Sequence, residues 1–425
     1  MKVKVIDLLK SRVVQISLAV WIIIGFIVLQ QIPYEHFCHD CAAHWDYTKI
    51  IVNEHRLPKP GEGWEMHQQP LYYLLASLIA PKALNTNISF HVNCIRILSV
   101  VFGAITLVIF SYLLQQITNN KFIQLISLLF LVTTPKFVFV FSTYNNDSLA
   151  TMLSIAVLVL SYKLYNSYSK KIALVLLVVS VIGLYTKLTL LVPIFIVIFL
   201  CCRNFFAGKP LTSVQLGLIK ILFLSLLLLT PTLIRNQSIS GTLFPSLELY
   251  SSPKGLELDK SKSILSIVLP TSILETNQFK WTDPWVYSWP HPASKRNDYW
   301  SFCYITSVYG EHEFRSPSVG TIWLLLLIHV FVYFVSLGTI FRTNLTKLAG
   351  STILLGHLMH IVHIIKNPFS CNMDFRYICW IWIGWLVLYT YALLDNNKWY
   401  SWLLPRVMMI GILTHIYFLA AVVAH

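Results

Sequence analysis

Charged residues are scarce in this chain. They make up 12% of its 425 residues, against roughly a quarter in a soluble domain. Acidic side chains are scarcer still, with 18 Asp and Glu against 32 Lys and Arg and a net charge of +14. No polar region is long enough to bury a core of its own, which excludes a string of soluble domains. No low-complexity tract and no clear internal repeat is present. The missing repeat counts against a transporter, because such folds often carry two related halves. The eight cysteines are scattered, and Cys94, Cys201, Cys202 and Cys379 lie in or beside apolar stretches where packing is their usual role. No disulfide framework is implied. The basic start, with Lys2, Lys4, Lys10 and Arg12, has the charge of a signal peptide. The apolar run behind it is too long and lacks a small-residue cleavage site, so it reads as an uncleaved first span.

What the chain has in quantity is apolar surface: 56% hydrophobic and 14% aromatic residues, with a mean hydropathy of +0.65. At about 20 apolar residues per crossing, the candidate spans are 13–32, 92–115, 122–141, 149–165, 172–185, 188–202, 216–234, 319–341, 348–365, 377–394 and 407–423. The expectation is an all-α polytopic membrane protein with roughly eleven transmembrane helices, folded as one integrated domain over 1–425. The segment 71–84 is shorter and follows Pro70, which fits a helix lying in the interface.

A basic balance in a soluble protein would raise nucleic acid as a partner. Here the cations sit in short loops and at span ends, as the positive-inside rule and phosphate head groups require, so no nucleic acid is expected. With Met1 cytoplasmic, Lys121, the Lys170-Lys171 pair, Arg203 with Lys209, Arg342 with Lys347, and Lys398 with Arg406 share that side. The opposite face receives 34–91 as a first external loop, the 142–147 turn, the 185–187 break, the long segment 235–318 and the 367–376 loop. Segment 235–318 carries Trp281, Trp285, Trp289, Trp300, Pro284, Pro290 and Pro292. Such rings stack on sugar faces or anchor at the bilayer surface, and it is too aromatic for a disordered linker.

The first external loop contains His36, Cys38, His39, Asp40, Cys41, His44, Asp46 and Tyr47, continues through His55 to Pro58, and closes on Glu65, His67, Pro70, Leu71, Tyr72 and Tyr73. These residues resemble the membrane glycosyltransferases of the GT-C superfamily that use polyprenyl-phosphate sugars. That group includes the protein mannosyltransferases dependent on dolichyl-phosphate mannose and the aminoarabinose transferases. Many of them open this loop with Asp-Glu-x-x-His-x-x-Tyr, pass a Leu-Pro, and close it with His-x-Pro-Pro-Leu-Tyr-Tyr. Asp40, His44 and Tyr47 fall on the opening motif, and Pro70 to Tyr73 on the closing one. Cys41 stands where the motif has Glu, and Gln69 where it has the first Pro. The likeness continues at Tyr144 to Ala150, at Gly183 to Lys187, and at Phe375, Arg376 and Tyr377, in the order the family has them.

The resemblance implies an enzyme that moves a sugar from a polyprenyl-phosphate donor to a lipid, glycan or protein acceptor on the non-cytoplasmic face. The membrane would be the plasma (inner) membrane, or the endoplasmic reticulum in a eukaryote. Such a transfer needs a base for the acceptor proton and cationic or metal help for the departing phosphate. Asp40 is the base by alignment and Asp46, six positions on, its rival. A solvated carboxylate or a helix cap is the plain alternative for Asp40. His44, Tyr47, His67, Tyr72 and Asp147 are candidate substrate contacts, although Asp147 is as readily an N-cap. Lys187, Arg376 and the adjacent Tyr377 sit at external span ends. A charge there is costly and often functional, or it snorkels to the interface. Arg235 and Arg96 are weaker candidates.

No cofactor is certain, and a divalent cation stays open although no metal ligands are assigned. Cys38 and Cys41 with His36, His39 and His44 have zinc-ligand character, while a lone CxxC outside the cytoplasm also reads as a disulfide or a pair of free thiols. His357, His360 and His363 at three-residue spacing on one helix face suit a proton relay, a metal or a packed face. The rival functions are a transporter or flippase for lipid-linked glycans and a polysaccharide ligase or polymerase.

Overall fold

The computed structural model describes residues 5–33, 40–79, 88–206, 208, 210–245, 268, 299–310, 319–367, 369–396 and 398–424. The described chain is all-helical. In order come α1 (Val5–Leu9), α2 (Arg12–Gln31), α3 (Cys41–Glu54), α4 (Leu71–Ile79), α5 (Ile88–Ile117), α6 (Lys121–Thr133), α7 (Pro135–Ser142), α8 (Asp147–Asn166) and α9 (Lys170–Leu184). They are followed by α10 (Leu191–Phe206), α11 (Ser213–Leu227), α12 (Thr230–Ser240), α13 (Tyr299–Val308), α14 (Val319–Leu337), α15 (Asn344–Lys366), α16 (Trp382–Leu393) and α17 (Leu403–Val423).

Among the described residues, seven helical stretches are long and apolar enough to cross a membrane. They are Arg12–Gln31, Phe90–Ile117, Asp147–Asn166, Ser213–Ser240, Gly320–Leu337, Asn344–Lys366 and Leu403–Val423. The number becomes eight if α6 and α7, bent by 64° at their junction, make one crossing. The chain is therefore an integral multi-pass membrane protein by length and composition. The expected eleven apolar runs exceed this count because four of them do not form one long straight helix. The run 122–141 breaks before Pro135, whose ring cannot continue a helix from the preceding turn. The run 172–185 becomes the 15-residue α9, about 22 Å at 1.5 Å per residue. The run 188–202 opens with a 3-10 turn, Leu188–Leu190, and the run 377–394 with another, Phe375–Ile381. The Trp-rich stretch around Trp281, Trp285 and Trp289, together with His36, Cys38 and His39, lies outside the described residues.

Two compact units divide the chain: Met1–Ile32, Phe110–Ser142 and Pro253–His425 in the first, Pro33–Ile109 and Thr143–Ser252 in the second. In the first unit Trp21 of α2 is wedged edge-on between Phe137 and Phe141 of α7, with ring centroids 5.4 and 6.3 Å away. There α16 packs on α15 at Gly384, where a Cβ would lie 2.9 Å from the Ala349 carbonyl oxygen.

In the second unit α8 is the central helix, with 72% of its apolar window buried. It packs on α9, α10 and α11, and its Ser148 hydroxyl donates to Ser99 of α5 at 3.1 Å. The first-loop helices α3 and α4 pack on each other. With 14 and 9 residues, both are too short to cross a bilayer.

Candidate functional site

The best-formed polar cluster lies wholly within the second unit. Helix α3 starts after Asp40 and turns Cys41, His44, Trp45, Tyr47 and Thr48 inward. Asp46 falls on the exposed side, where its carboxylate pairs with Lys49 at 2.6 Å. The helix ends on His55, in the left-handed region at φ 53°. Arg56 then pairs with Glu54 and Glu62 at 2.7 and 2.8 Å, and Arg235 of α12 donates to the Pro58 carbonyl at 2.8 Å. The loop is thus pinned at both ends before it reaches Trp64 and His67.

Lys187 arrives from the other side. After α9 ends, the amides of Thr186 and Lys187 both fold back onto the Gly183 carbonyl at 2.9 Å, and the Leu71 amide donates to the Tyr185 carbonyl at 3.0 Å. A Cβ at Gly183 would lie 1.9 Å from Leu190 Cδ2, so any larger residue there would force that leucine side chain to move. The turn carries the Lys187 ammonium inward to Asp147 Oδ1 at 2.5 Å and Asn146 Oδ1 at 3.1 Å. Lys187 and Asp147 are 6% and 5% exposed. Asp147 is not acting as a cap. Asn145 Oδ1 instead accepts from the Ser148 amide at 2.9 Å.

From Lys187 hydrogen bonds run through Asn146, Gln68 and His67 to the Trp64 backbone, the Trp64 indole separately reaches Asp40, and the direction of each bond is forced. An ammonium only donates, so Asn146 Oδ1 accepts and Asn146 Nδ2 donates to Gln68 Oε1 at 3.3 Å. Gln68 Nε2 then donates to His67 Nε2 at 3.3 Å. An imidazole accepting at Nε2 carries its proton on Nδ1, which donates to the Trp64 carbonyl at 3.2 Å. The Trp64 indole only donates, and its target is Asp40 Oδ1 at 3.1 Å. Burial pushes the His67 imidazole down to about 4, against the Trp64 bond and with the nearby Lys187 charge adding to the shift, so the ring is neutral at neutral pH, as these bonds require. Asp40 makes no cap bond to its own helix.

A second branch leaves Asn146. Its Nδ2 reaches the Tyr73 hydroxyl at 3.4 Å, which lies 2.8 Å from His44 Nδ1. Tyr47 stacks on Tyr73 with centroids 3.8 Å apart and planes 10° from parallel, and it donates to the Gln68 carbonyl at 3.3 Å. Burial raises the Tyr47 and Tyr73 phenols, the latter also by the carboxylate of Glu65. Tyr72 has no exposed surface and packs against Tyr73 and Tyr144 at 5.6 and 5.8 Å, so its place here is in the core.

The second unit therefore gathers Asp40, His44, Tyr47, His67, Asp147 and Lys187, and leaves Asp46 facing away. Sequence reasoning assigns no site role to Trp64, Gln68, Tyr73 or Asn146, which supply the links, nor to the buried Glu65, 7% exposed. These are neutral residues except Glu65, and apart from Tyr73 and Asn146, which lie in stretches of the resemblance, their sequence signal is the density of polar side chains before Pro70.

Arg376 and Tyr377 belong to the first unit. They open the 3-10 turn after Asp374, whose Oδ1 accepts from the Arg376 amide at 2.5 Å. The guanidinium reaches the Tyr377 hydroxyl at 3.4 Å and sits 5.2 Å from its ring centroid. Of the three spaced histidines, His357 and His360 meet the Tyr299 hydroxyl at 2.6 and 3.2 Å, and His360 Nε2 donates to the Asn372 carbonyl at 2.6 Å. They are packed and bonded. Among the described residues no group of three His, Cys, Asp or Glu is placed to hold a metal ion, and Cys41 is disulfide-bonded, which removes it as a thiolate ligand.

The sequence matches no protein-family model and no curated protein.

Proposed function

We propose that the chain is a membrane glycosyltransferase of the GT-C kind that moves a sugar from a polyprenyl-phosphate donor to a hydroxyl or amine acceptor on the non-cytoplasmic face. The observation that carries this reading is the presence, within one unit, of a buried lysine and a loop carboxylate, with Asn146, Gln68, His67 and the two ends of Trp64 bonded in the space between them. In the reaction the acceptor oxygen or nitrogen bonds to the sugar's anomeric carbon while the bond from that carbon to the phosphate oxygen breaks. Asp40 takes the acceptor proton. The Trp64 indole donates to its Oδ1 and orients the carboxylate, to which the base role is assigned. The polyprenyl phosphate departs with added negative charge, which the Lys187 ammonium stabilises from a low-dielectric setting without reorganising.

Asp46 is the weaker base on this account, because it is exposed and paired to Lys49. For Arg376, in the first unit, the proposal is a phosphate contact considered by itself, able to hold the group bidentately. The roughly eleven-crossing topology belongs to the same proposal, with the four short or broken runs completing it. The acceptor is a lipid, glycan or protein, and the membrane is the plasma membrane or its endoplasmic reticulum counterpart.

The test uses the purified full chain with a labelled polyprenyl-phosphate sugar in detergent. Cleavage of the donor with release of polyprenyl phosphate supports the reading. Binding of the donor without any cleavage in the presence of acceptor-bearing membrane extract contradicts it and favours a lipid-linked glycan flippase.

A further inference from the structure

The first unit holds an ion pair that the mechanism above does not use. Lys136 is the second residue of α7, just past the 64° break at Pro135. Its ammonium meets Asp374 Oδ1 at 2.7 Å, with side chains 5% and 0% exposed. Replacing a buried pair by apolar residues of similar size is often neutral or stabilising, so a pair kept at this depth calls for a reason besides stability. An ionisable residue inside a membrane protein is a functional hypothesis by default.

The geometry supplies the reason. Asp374 Oδ1 accepts from two donors, the Lys136 ammonium and the backbone amide of Arg376. That second bond caps the 3-10 turn Phe375–Ile381 and so fixes where the Arg376 side chain leaves the backbone. The neighbouring amide, Phe375, donates to Thr306 Oγ1 of α13 at 3.0 Å. The two-residue platform under Arg376 is thereby clamped from α7 through Lys136 and from α13 through Thr306. A guanidinium that must meet a phosphate with a planar fork depends on its stem being aimed within tight limits, since a misplacement of about 1 Å is costly in rate.

We propose that Asp374, held by Lys136, is a positioning residue for Arg376. The pair does not touch the donor. It sets the angle at which Arg376 presents its charge to an anionic group. This inference rests on the reading of Arg376 as a donor-phosphate contact.

Three variants separate the cap from the charge pair, with Arg376→Ala as the reference. Asp374→Glu keeps the carboxylate for Lys136 but moves it one methylene away from the Arg376 amide. Lys136→Met with Asp374→Leu removes both charges and the cap. Lys136→Met with Asp374→Asn removes both charges and keeps an amide oxygen that caps. Donor titrations of transfer rate are compared at a temperature where each protein is folded by its melting curve. We expect the Glu and the Met/Leu proteins to raise the donor KM at least about tenfold with a smaller change in kcat, the split that marks lost ground-state binding. The Met/Asn protein is expected to return to within about threefold of wild type.

Equal donor KM in all three, with Arg376→Ala impaired, overturns the positioning role and leaves the pair structural. An unimpaired Arg376→Ala overturns the functional reading of Arg376 instead. If the Met/Leu protein fails to fold, the Glu protein, whose charges stay balanced, decides the matter against wild type.

Discussion

Lys187 Nζ lies 2.5 Å from Asp147 Oδ1, with both side chains nearly sealed from solvent. The two residues are 40 positions apart and reach each other because Lys187 follows a broken helix end while Asp147 opens the central helix of its unit. An ammonium has three donors, and the phosphate of a donor substrate would join or displace the carboxylate.

Breaking this pair from one side should be expensive. Lys187→Met leaves a buried carboxylate without its cation, a loss typically worth about 3–5 kcal/mol. Combining it with Asp147→Leu removes the second charge and should recover most of the melting temperature. Donor affinity should stay lost in both. A double variant that binds a polyprenyl-phosphate sugar as well as wild type would make Lys187 a structural residue only.

His67 should make the protein acid-sensitive. Its folded-state value is lowered to about 4 from an unfolded value near 6.5, so the unfolded chain binds the proton first as pH falls. The associated stability is fully present above about 6.5 and is lost as pH drops toward about 4. Melting curves across that window should fall less steeply for His67→Gln than for wild type. Parallel curves for the two proteins would remove His67 as the titrating group.

Arg376→Lys retains a charge but loses the planar fork. Donor binding should weaken in this variant nearly as much as in Arg376→Ala, measured by donor titration. Full retention by the lysine variant would reduce Arg376 to a point charge.

The alternation of basic and aromatic loops predicts that residues 40, 147, 187 and 376 face the non-cytoplasmic side and 171 and 342 the other. Single-cysteine labelling in a cysteine-free background measures this directly. Labelling of positions 40 and 171 from one side would break the proposed site.

How much of this was legible beforehand differs by feature. The all-helical, multi-pass character followed from runs of apolar residues, since the length of such a run is the signal for a crossing. Run length does not report where a helix breaks, and Pro135, between Thr134 and Lys136, lies inside a stretch whose overall apolar character hides the break. The same blindness merged the 3-10 turn at Phe375 with α16. In the site, the charged residues Asp40, Asp147 and Lys187 stood out against a chain poor in charge. Gln68 and Asn146 did not, because neutral amides carry no charge pattern and their role depends on contacts 78 positions apart. The exposure of Asp46 was also invisible, as it sits on the same short helix as His44 and only packing tells the faces apart.

The central claim is that Asp40 is the base. Asp40→Asn keeps the size of the side chain and an oxygen able to accept from the Trp64 indole, so the loop should hold its place, while the basic carboxylate is gone. General-base loss typically costs about a hundred- to ten-thousandfold in rate, whereas an exposed substitution such as Asp46→Asn usually changes stability by about half a kcal/mol or less. The decisive measurement is the initial rate of sugar transfer from a saturating labelled polyprenyl-phosphate donor by purified Asp40→Asn, beside Asp46→Asn and wild type. The account predicts a folded, donor-binding Asp40→Asn protein at least about a hundredfold slower and a nearly unimpaired Asp46→Asn. Near-normal transfer by Asp40→Asn, or an inactive Asp46→Asn beside it, would contradict the account.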